Sequence, residues 1–195
     1  RRLLAIGRLE PQKNYPLMLS AFSRIAGPHD RLDIAGSGGE RARIADIIER
    51  LGLAGRVTLL GHVTDVGPLL AQADALVLSS DYEGLPGAVV EALAAGVPVA
   101  ATDCCASMRW LLGDGRFGVL APPGDAGGLA AAMEAAIGLA PEVPAMRAFA
   151  SQFTLEQAAP RYLALFAELT VGPEPIAPPR PRGSGTIDAD RNAAC

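Results

Sequence analysis

Six short apolar runs recur along the chain, at residues 3–6, 32–35, 57–60, 75–78, 98–101 and 118–121. Helical patterns of apolar residues separate them, at residues 15–26, 40–51, 67–73, 87–95 and 107–112. Short apolar runs bounded by turn residues are typical of buried parallel strands, and regular β–α alternation favours right-handed crossovers. We therefore predict an α/β fold, a doubly wound, mainly parallel Rossmann-like sheet of about six strands.

The loops that follow these strands should share one face of the sheet. In open α/β sheets, ligands bind over the carboxyl ends of the strands. Most of the polar and glycine-rich loops of the chain fall there, and they begin at Gly7, Gly36, Gly61, Ser79 and Thr102. The pattern thus predicts a ligand site along this edge.

The segment between residues 75 and 101 is the most informative. A strand leads into a turn that contains Gly84, Pro86 and Gly87, and a helix follows, so Glu83 lies on the turn and Glu91 inside the helix. The first turn of a helix presents free N–H groups and roughly half a positive charge. We expect an anion to bind above this turn.

Arg8 and Lys13 lie on the loop after the first strand. An arginine fork and a lysine ammonium at the ligand face would suit a diphosphate, although a solvated basic loop explains the same residues. The Gly36-Ser37-Gly38 turn could let backbone approach a phosphate or a sugar, or it could simply begin the next helix. It is not a dinucleotide fingerprint, because Arg41 occupies the place of the third glycine.

His62 follows the third strand and suits a contact with a base, but an ordinary polar loop residue is the stronger interpretation. With only two histidines in the chain, no Ser/His/Asp triad or metal cluster with a local signature can be assembled. We expect no metal and no cofactor.

The composition narrows the class further. The 195 residues carry a net charge of −4, which gives no reason to expect nucleic acid as a partner. Three cysteines provide no disulfide framework, and no secretory signal is visible, so we expect a cytoplasmic location. The chain enters a strand almost at once without a methionine, which indicates a piece of a longer protein. Residues 1–170 are predicted to form the domain, and the Pro- and Gly-rich residues 171–195 a disordered tail.

Taken together in this order, these motifs resemble the C-terminal, donor-binding domain of a retaining GT-B glycosyltransferase of family four. Besides the loop 7–14 and the Gly36 turn, the likeness rests on residues 61–65, 83–91, 94–99 and 118–125, and it spans about residues 1–170. It implies transfer of a sugar, of the hexose type, from a nucleotide-sugar with retention of anomeric configuration, in polysaccharide biosynthesis. It also implies that the N-terminal acceptor-binding domain is absent from this chain. The isolated fragment should then be inactive, and peripheral membrane association would come through the missing half.

The resemblance assigns a role to each site residue. Arg8 and Lys13, with the adjacent Gly7, would bind the donor diphosphate. Glu83, taken as the catalytic residue, would contact the donor sugar, and Glu91 would accept hydrogen bonds from the ribose. The remaining donor-binding residues contribute backbone to the sugar and phosphate, or contact the base, and are Gly36, Ser37, His62, Val63, Gly84, Leu85, Pro86 and Gly87.

One departure from the family pattern concerns Trp110, which stands where a glutamate is usual and could weaken phosphate contacts or narrow the site. Together with the truncation it favours an alternative, a non-catalytic nucleotide-sugar-binding or interaction module. A nicotinamide-dependent oxidoreductase is disfavoured by the failed fingerprint.

Overall fold

The computed structural model describes residues 1–170, and its core is a six-stranded sheet in which every neighbouring pair of strands is parallel. The strand order is β3-β2-β1-β4-β5-β6, which confirms the predicted doubly wound sheet. The strands are β1 (Arg2–Ile6), β2 (Arg31–Ala35), β3 (Val57–Gly61), β4 (Ala75–Leu78), β5 (Val99–Thr102) and β6 (Gly118–Ala121). The tail predicted at residues 171–195 lies outside the described residues.

Helices cross over between the strands and continue after the last one. They are α1 (Tyr15–Ile25), α2 (Arg41–Arg50), α3 (Gly67–Leu70), α4 (Gly87–Ala95), α5 (Ser107–Leu111), α6 (Ala126–Gly138), α7 (Val143–Ala150) and α8 (Leu155–Thr170). Single 3-10 turns lie at Pro11–Lys13, Gly113–Gly115 and Ser151–Phe153.

The sheet buries apolar side chains on both faces. Along β1, Leu3 belongs to one core cluster and Leu4 to the other, because successive side chains of a strand point to opposite faces. The cluster around Leu3 includes Phe22 of α1, and the cluster around Leu4 includes Leu93 of α4. Helices thus cover both faces, which explains why the strands are nearly continuous apolar runs.

The chain reverses its direction of travel across the sheet between β3 and β4. Strands β2 and β3 are added in turn on one side of β1, and β4 then pairs with the other side of β1. The loops after β1 and β4 are therefore neighbours at the topological switch point, where ligands of such sheets bind. This places the loop that carries Lys13 beside the loop that carries Glu83.

A compact unit comprises Arg1–Ala158, and a second unit begins at Ala159, within α8. In the described part of the second unit, Tyr162, Leu163 and Phe166 are exposed. Among residues 1–170, no helix alone has the length and apolar character to cross a bilayer. One pair of helical segments reaches this length and apolar character when taken together, although it is bent by 113°: Ala126–Gly138 and Val143–Phe153.

Candidate functional site

Backbone hydrogen bonds join the loops after the first three strands. The Gly7 N–H donates to the Ala35 carbonyl at 3.0 Å, and the Gly36 N–H donates to the Gly61 carbonyl at 2.7 Å. The approach of Gly7 and Gly36 is so close that a Cβ at Gly36 would lie 1.8 Å from the Gly7 carbonyl oxygen. Only a glycine fits there, so the turn after β2 serves close backbone packing between two loops.

A cavity of about 250 Å³ opens at these loops. It brings together seven of the donor-binding residues expected from the sequence, drawn from three loops and from α4. Its lining consists of Ile6, Gly7, Arg8, Ala35, Gly36, Ser37, His62, Val63, Thr64, Val66 and Glu91. Residues separated by more than 80 positions in the sequence therefore meet at one concave site.

A second set of contacts ties the loop after β1 to the loop after β4. The Asn14 side-chain amide donates to Asp81 Oδ1 at 2.7 Å, and the Gln12 side-chain amide donates to the Tyr82 carbonyl at 2.7 Å. The Asp81 N–H in turn donates to the Gln12 carbonyl at 2.9 Å. Hydrogen bonds from the residues on both sides of Lys13 thus fix the loop after β1 against the loop after β4.

Lys13 and Glu83 form an ion pair at this junction. Lys13 Nζ lies 2.5 Å from Glu83 Oε1, and the two side chains are only 16% and 9% exposed. Lys13 is the one lysine in the sequence. The residues expected to bind a diphosphate and a sugar are therefore in direct contact, outside the lining of the 250 Å³ cavity.

Sequence reasoning missed three buried hydroxyl groups beneath this pair. Ser80 Oγ donates to Glu83 Oε1 at 2.7 Å, and Thr102 Oγ1 donates to the Ser80 carbonyl at 2.6 Å. Ser79 Oγ donates to the Lys13 carbonyl at 2.7 Å. All three are at most 1% exposed. The signal in the sequence is that hydroxyl residues stand just after β4 and at the last position of β5.

Tyr15, another residue without an assigned role, supports the loop after β1 from below. Its phenol is buried and donates to the Gly7 carbonyl at 3.0 Å. Burial, with a smaller contribution from the negative charge of Glu83, raises the pKa of the Tyr15 phenol well above its usual value. The hydroxyl therefore remains a hydrogen-bond donor throughout the neutral range.

The turn of residues 84–87 directly precedes α4, as predicted, and it is partly buried and partly exposed. Pro86 is buried directly before Gly87, where α4 begins, whereas Leu85 is 51% exposed. The Gly84 carbonyl accepts a hydrogen bond from Ser107 Oγ at 3.3 Å. The turn of residues 84–87 is thus anchored to the segment after β5, and its outer surface is open.

The segment after β5 carries two free thiols, Cys104 and Cys105. Burial, the neighbouring Cys105 and the charge of Glu83 raise the pKa of the Cys104 thiol to about 11. The thiol of Cys104 is therefore protonated at neutral pH and is a poor nucleophile.

Trp110 lies apart from the cavity. Its ring packs edge-on against Phe149 at 5.0 Å and Phe153 at 5.7 Å between centroids, and the residue is 52% exposed. It is not among the residues that line the 250 Å³ cavity. Its indole serves contacts between α5 and the α7 region.

The fold and the site define a Rossmann-like domain with a candidate ligand cavity at the carboxyl edge of its sheet. Residues 1–138 match the family model described as "Glycosyl transferases group 1". The chain belongs to this family.

Two relatives illustrate the relationship. The chain is 33% identical over 132 residues to the lipopolysaccharide core biosynthesis glycosyltransferase LpsE of Rhizobium meliloti, a match that covers 68% of this chain and 38% of LpsE. It is 33% identical over 139 residues to the glycogen synthase of Mycobacterium tuberculosis, covering 69% of this chain and 33% of that protein. The chain therefore spans well under half the length of these relatives.

Solved structures show the same architecture. The Anabaena protein HepE in complex with UDP-glucose is 26% identical, with a TM-score of 0.78 over 86% of this chain and 48% of HepE. The lipopolysaccharide outer core galactosyltransferase WaaB, in its apo form, is 23% identical with a TM-score of 0.74, covering 86% of this chain and 49% of WaaB. These likenesses confirm the resemblance to one half of the GT-B fold.

Proposed function

We propose that this chain is the donor-binding half of a glycosyltransferase that moves a hexose from a nucleoside diphosphate sugar to an acceptor with retention of anomeric configuration. The observation that carries the proposal is the single cavity in which Arg8, Ser37, His62 and Glu91 meet. These residues come from three loops and one helix, and family membership makes a sugar nucleotide the ligand that suits them.

The nucleoside occupies the cavity in this proposal. Glu91 accepts hydrogen bonds from the ribose hydroxyl groups, and the backbone around His62 and Val63 contacts the base. UDP is the donor nucleotide that we favour, because HepE, the 26% identical protein of the same fold, was solved with UDP-glucose.

Arg8 and Lys13 bind the diphosphate and stabilise it as it leaves. An ammonium carries three donors, and the contact with Glu83 uses one of them, so Lys13 can hold Glu83 and a phosphate oxygen together. The N-terminus of α4 adds roughly half a positive charge nearby. These groups supply the stabilisation that a metal gives in other transferases, so the proposal includes neither a metal nor a cofactor.

Glu83 is the sugar contact, and the open turn of residues 84–87 offers backbone groups beside it. The remainder of the reaction cleft belongs to an acceptor-binding half that this chain does not include. A cavity of about 250 Å³ is smaller than a complete ligand site of about 300–1,000 Å³.

Polysaccharide biosynthesis in the cytoplasm is the setting that we propose, with any peripheral association with a membrane provided by the other half. The two free thiols support a reducing compartment, and LpsE supports a glycan acceptor by its name. Without an acceptor site, the chain alone should bind the donor but transfer no sugar.

Calorimetry of the chain with UDP tests the proposal. We expect measurable binding that weakens with salt, since cations at a partly exposed site are screened. An Arg8→Ala/Lys13→Ala variant should lose about tenfold or more in affinity.

The matched control is Arg43→Ala/Arg50→Ala, which removes the same charge from α2. Both of these arginines are exposed and pair within their own segment, with Glu40 and Asp46. If the two double variants bind UDP equally well, the diphosphate site is assigned to the wrong residues. If the parent binds no nucleoside diphosphate, the proposed function is wrong.

A further inference from the structure

The two carboxylate oxygens of Glu83 have different surroundings. Oε1 accepts hydrogen bonds from Lys13 Nζ at 2.5 Å and from Ser80 Oγ at 2.7 Å. Within residues 1–170, Oε2 accepts no hydrogen bond and is not completely buried, although the side chain as a whole is only 9% exposed. The protein therefore occupies one oxygen and leaves the other open.

Ser80 is well placed to orient this carboxylate. Its side chain lies at the carboxyl end of β4 and is completely buried. Its carbonyl oxygen accepts a hydrogen bond from Thr102 Oγ1 at 2.6 Å, at the end of the neighbouring strand β5. The serine hydroxyl thus donates from a backbone that two adjacent strands hold in place.

We propose that Ser80 is a positioning residue for the donor sugar, an inference that rests on the function proposed above. By holding Oε1, the Ser80 hydroxyl and the Lys13 ammonium turn Oε2 of Glu83 toward the open edge of the sheet. There Oε2 accepts a hydrogen bond from a hydroxyl group of the transferred sugar. Ser80 itself touches neither the sugar nor the nucleotide.

The physical reason lies in the freedom of the glutamate side chain. A glutamate side chain has several rotatable bonds, and it loses that freedom when it binds a hydroxyl group. Two donors on one oxygen remove the freedom before the ligand arrives, so more of the new hydrogen bond contributes to binding. Without Ser80, only the long Lys13 side chain would restrain the carboxylate.

The experiment compares the dissociation constants of UDP and of a UDP-sugar for the same chain. UDP-glucose, UDP-galactose and UDP-N-acetylglucosamine are titrated, and the tightest of the three is retained. The measured quantity is the dissociation constant of UDP divided by that of the UDP-sugar. Ser80→Ala should weaken the UDP-sugar selectively and so lower this ratio by about 3- to 10-fold relative to the parent. The affinity for UDP alone should stay within about twofold, because Ser80 does not reach the nucleotide.

Three further variants separate orientation from a merely structural role. Ser23→Ala removes a serine whose hydroxyl donates to the Ser20 carbonyl within α1, and it should leave the ratio unchanged. Ser80→Thr keeps a hydroxyl group and should restore most of the ratio. In a Glu83→Ala background, Ser80→Ala should change the ratio no further, because its effect passes through Glu83.

The outcomes distinguish the two proposals. Suppose that the parent binds UDP but that Ser80→Ala leaves the ratio unchanged, or lowers the affinities for UDP and UDP-sugar equally. Either result overturns the positioning role of Ser80 and leaves the proposed nucleotide site intact. A further loss on adding Ser80→Ala to Glu83→Ala overturns it as well. A parent that binds none of these nucleotides overturns the proposed function and this inference with it.

Discussion

The carbonyl oxygen of Gly7 occupies the space that a side chain at Gly36 would need. A Cβ built at Gly36 lies 1.8 Å from this oxygen, and the atoms it meets belong to backbone, which cannot move aside as a flexible side chain can. Both glycines line the candidate nucleoside cavity. The shape of the cavity therefore depends on two loops in backbone contact.

Replacing Gly36 by alanine should separate these loops. We expect Gly36→Ala to lower the free energy of unfolding by about 1–3 kcal/mol, as overpacked sites do, and to weaken UDP binding because the cavity wall shifts. Urea unfolding and calorimetry measure the two effects. Gly39→Ala is the matched control, since a Cβ there meets nothing within 4 Å and should change stability by no more than about 0.5 kcal/mol.

Tyr15 should give the stability of the domain a dependence on alkaline pH. Its folded-state pKa is raised above the usual value of about 10, so the folded state holds the phenolic proton more tightly than the unfolded chain does. The contribution of this proton to stability is complete below about pH 10 and is lost as the pH rises above it. Tyr15→Phe should therefore flatten the alkaline decline.

At neutral pH the same variant should cost about 1 kcal/mol, because the Gly7 carbonyl loses its donor. Urea unfolding of parent and variant at about pH 8 and about pH 11 measures both effects. Tyr82→Phe serves as the control, since Tyr82 is 64% exposed and should leave the pH dependence unchanged. If the free energy of unfolding falls as steeply between these pH values in Tyr15→Phe as in the parent, groups other than Tyr15 cause the loss of stability at alkaline pH.

The sequence predicted the sheet and much of the cavity because the relevant signals are local. Five of the six apolar runs are followed directly by a glycine, serine or threonine, and a parallel sheet brings such ends to one edge whatever the detailed contacts. Six of the expected residues, including Arg8 and His62, meet there for this reason, and Glu91 joins them from α4.

Most of the contacts around Lys13 and Glu83 join distant parts of the sequence, which is why sequence reasoning missed them. Lys13 and Glu83 are 70 positions apart, and Thr102 lies 22 positions after Ser80. Their contact depends on β4 lying between β1 and β5 and on the register of these strands. A serine or threonine that ends a strand gives no indication of which carbonyl or carboxylate it will reach.

Because Lys13 is the only lysine, its amine can be followed chemically without mutagenesis. Acetylation followed by mass spectrometry should show that saturating UDP slows modification of Lys13 several-fold, since a bound diphosphate shields the ammonium. Glu83→Gln should accelerate modification in the absence of UDP, because the ion pair at 2.5 Å is lost. Nα-acetyl-lysine amide added to the same sample reports the intrinsic reactivity of an unpaired amine. Lys13 acetylation that is indifferent to UDP would place the diphosphate elsewhere.

The two glutamates should contribute to different parts of donor binding. Glu91 lines the cavity assigned to the nucleoside, whereas Glu83 lies outside that lining and pairs with Lys13. Hydrogen bonds to a carboxylate are worth about 1.5–3 kcal/mol each, so Glu91→Gln should weaken both UDP and UDP-sugar by about tenfold or more.

Glu83→Gln should instead leave UDP binding nearly intact. The substitution frees Lys13 from its partner, so the ammonium remains available to the diphosphate, while the neutral amide binds a sugar hydroxyl more weakly than a carboxylate does. In an active full-length enzyme, transfer should therefore fall while the affinity for UDP stays within about twofold. Glu49→Gln, an exposed change on α2, controls for the loss of one negative charge. If Glu83→Gln weakens UDP as much as Glu91→Gln does, the roles are not divided, and Glu83 serves chiefly to hold Lys13 and the turn in place.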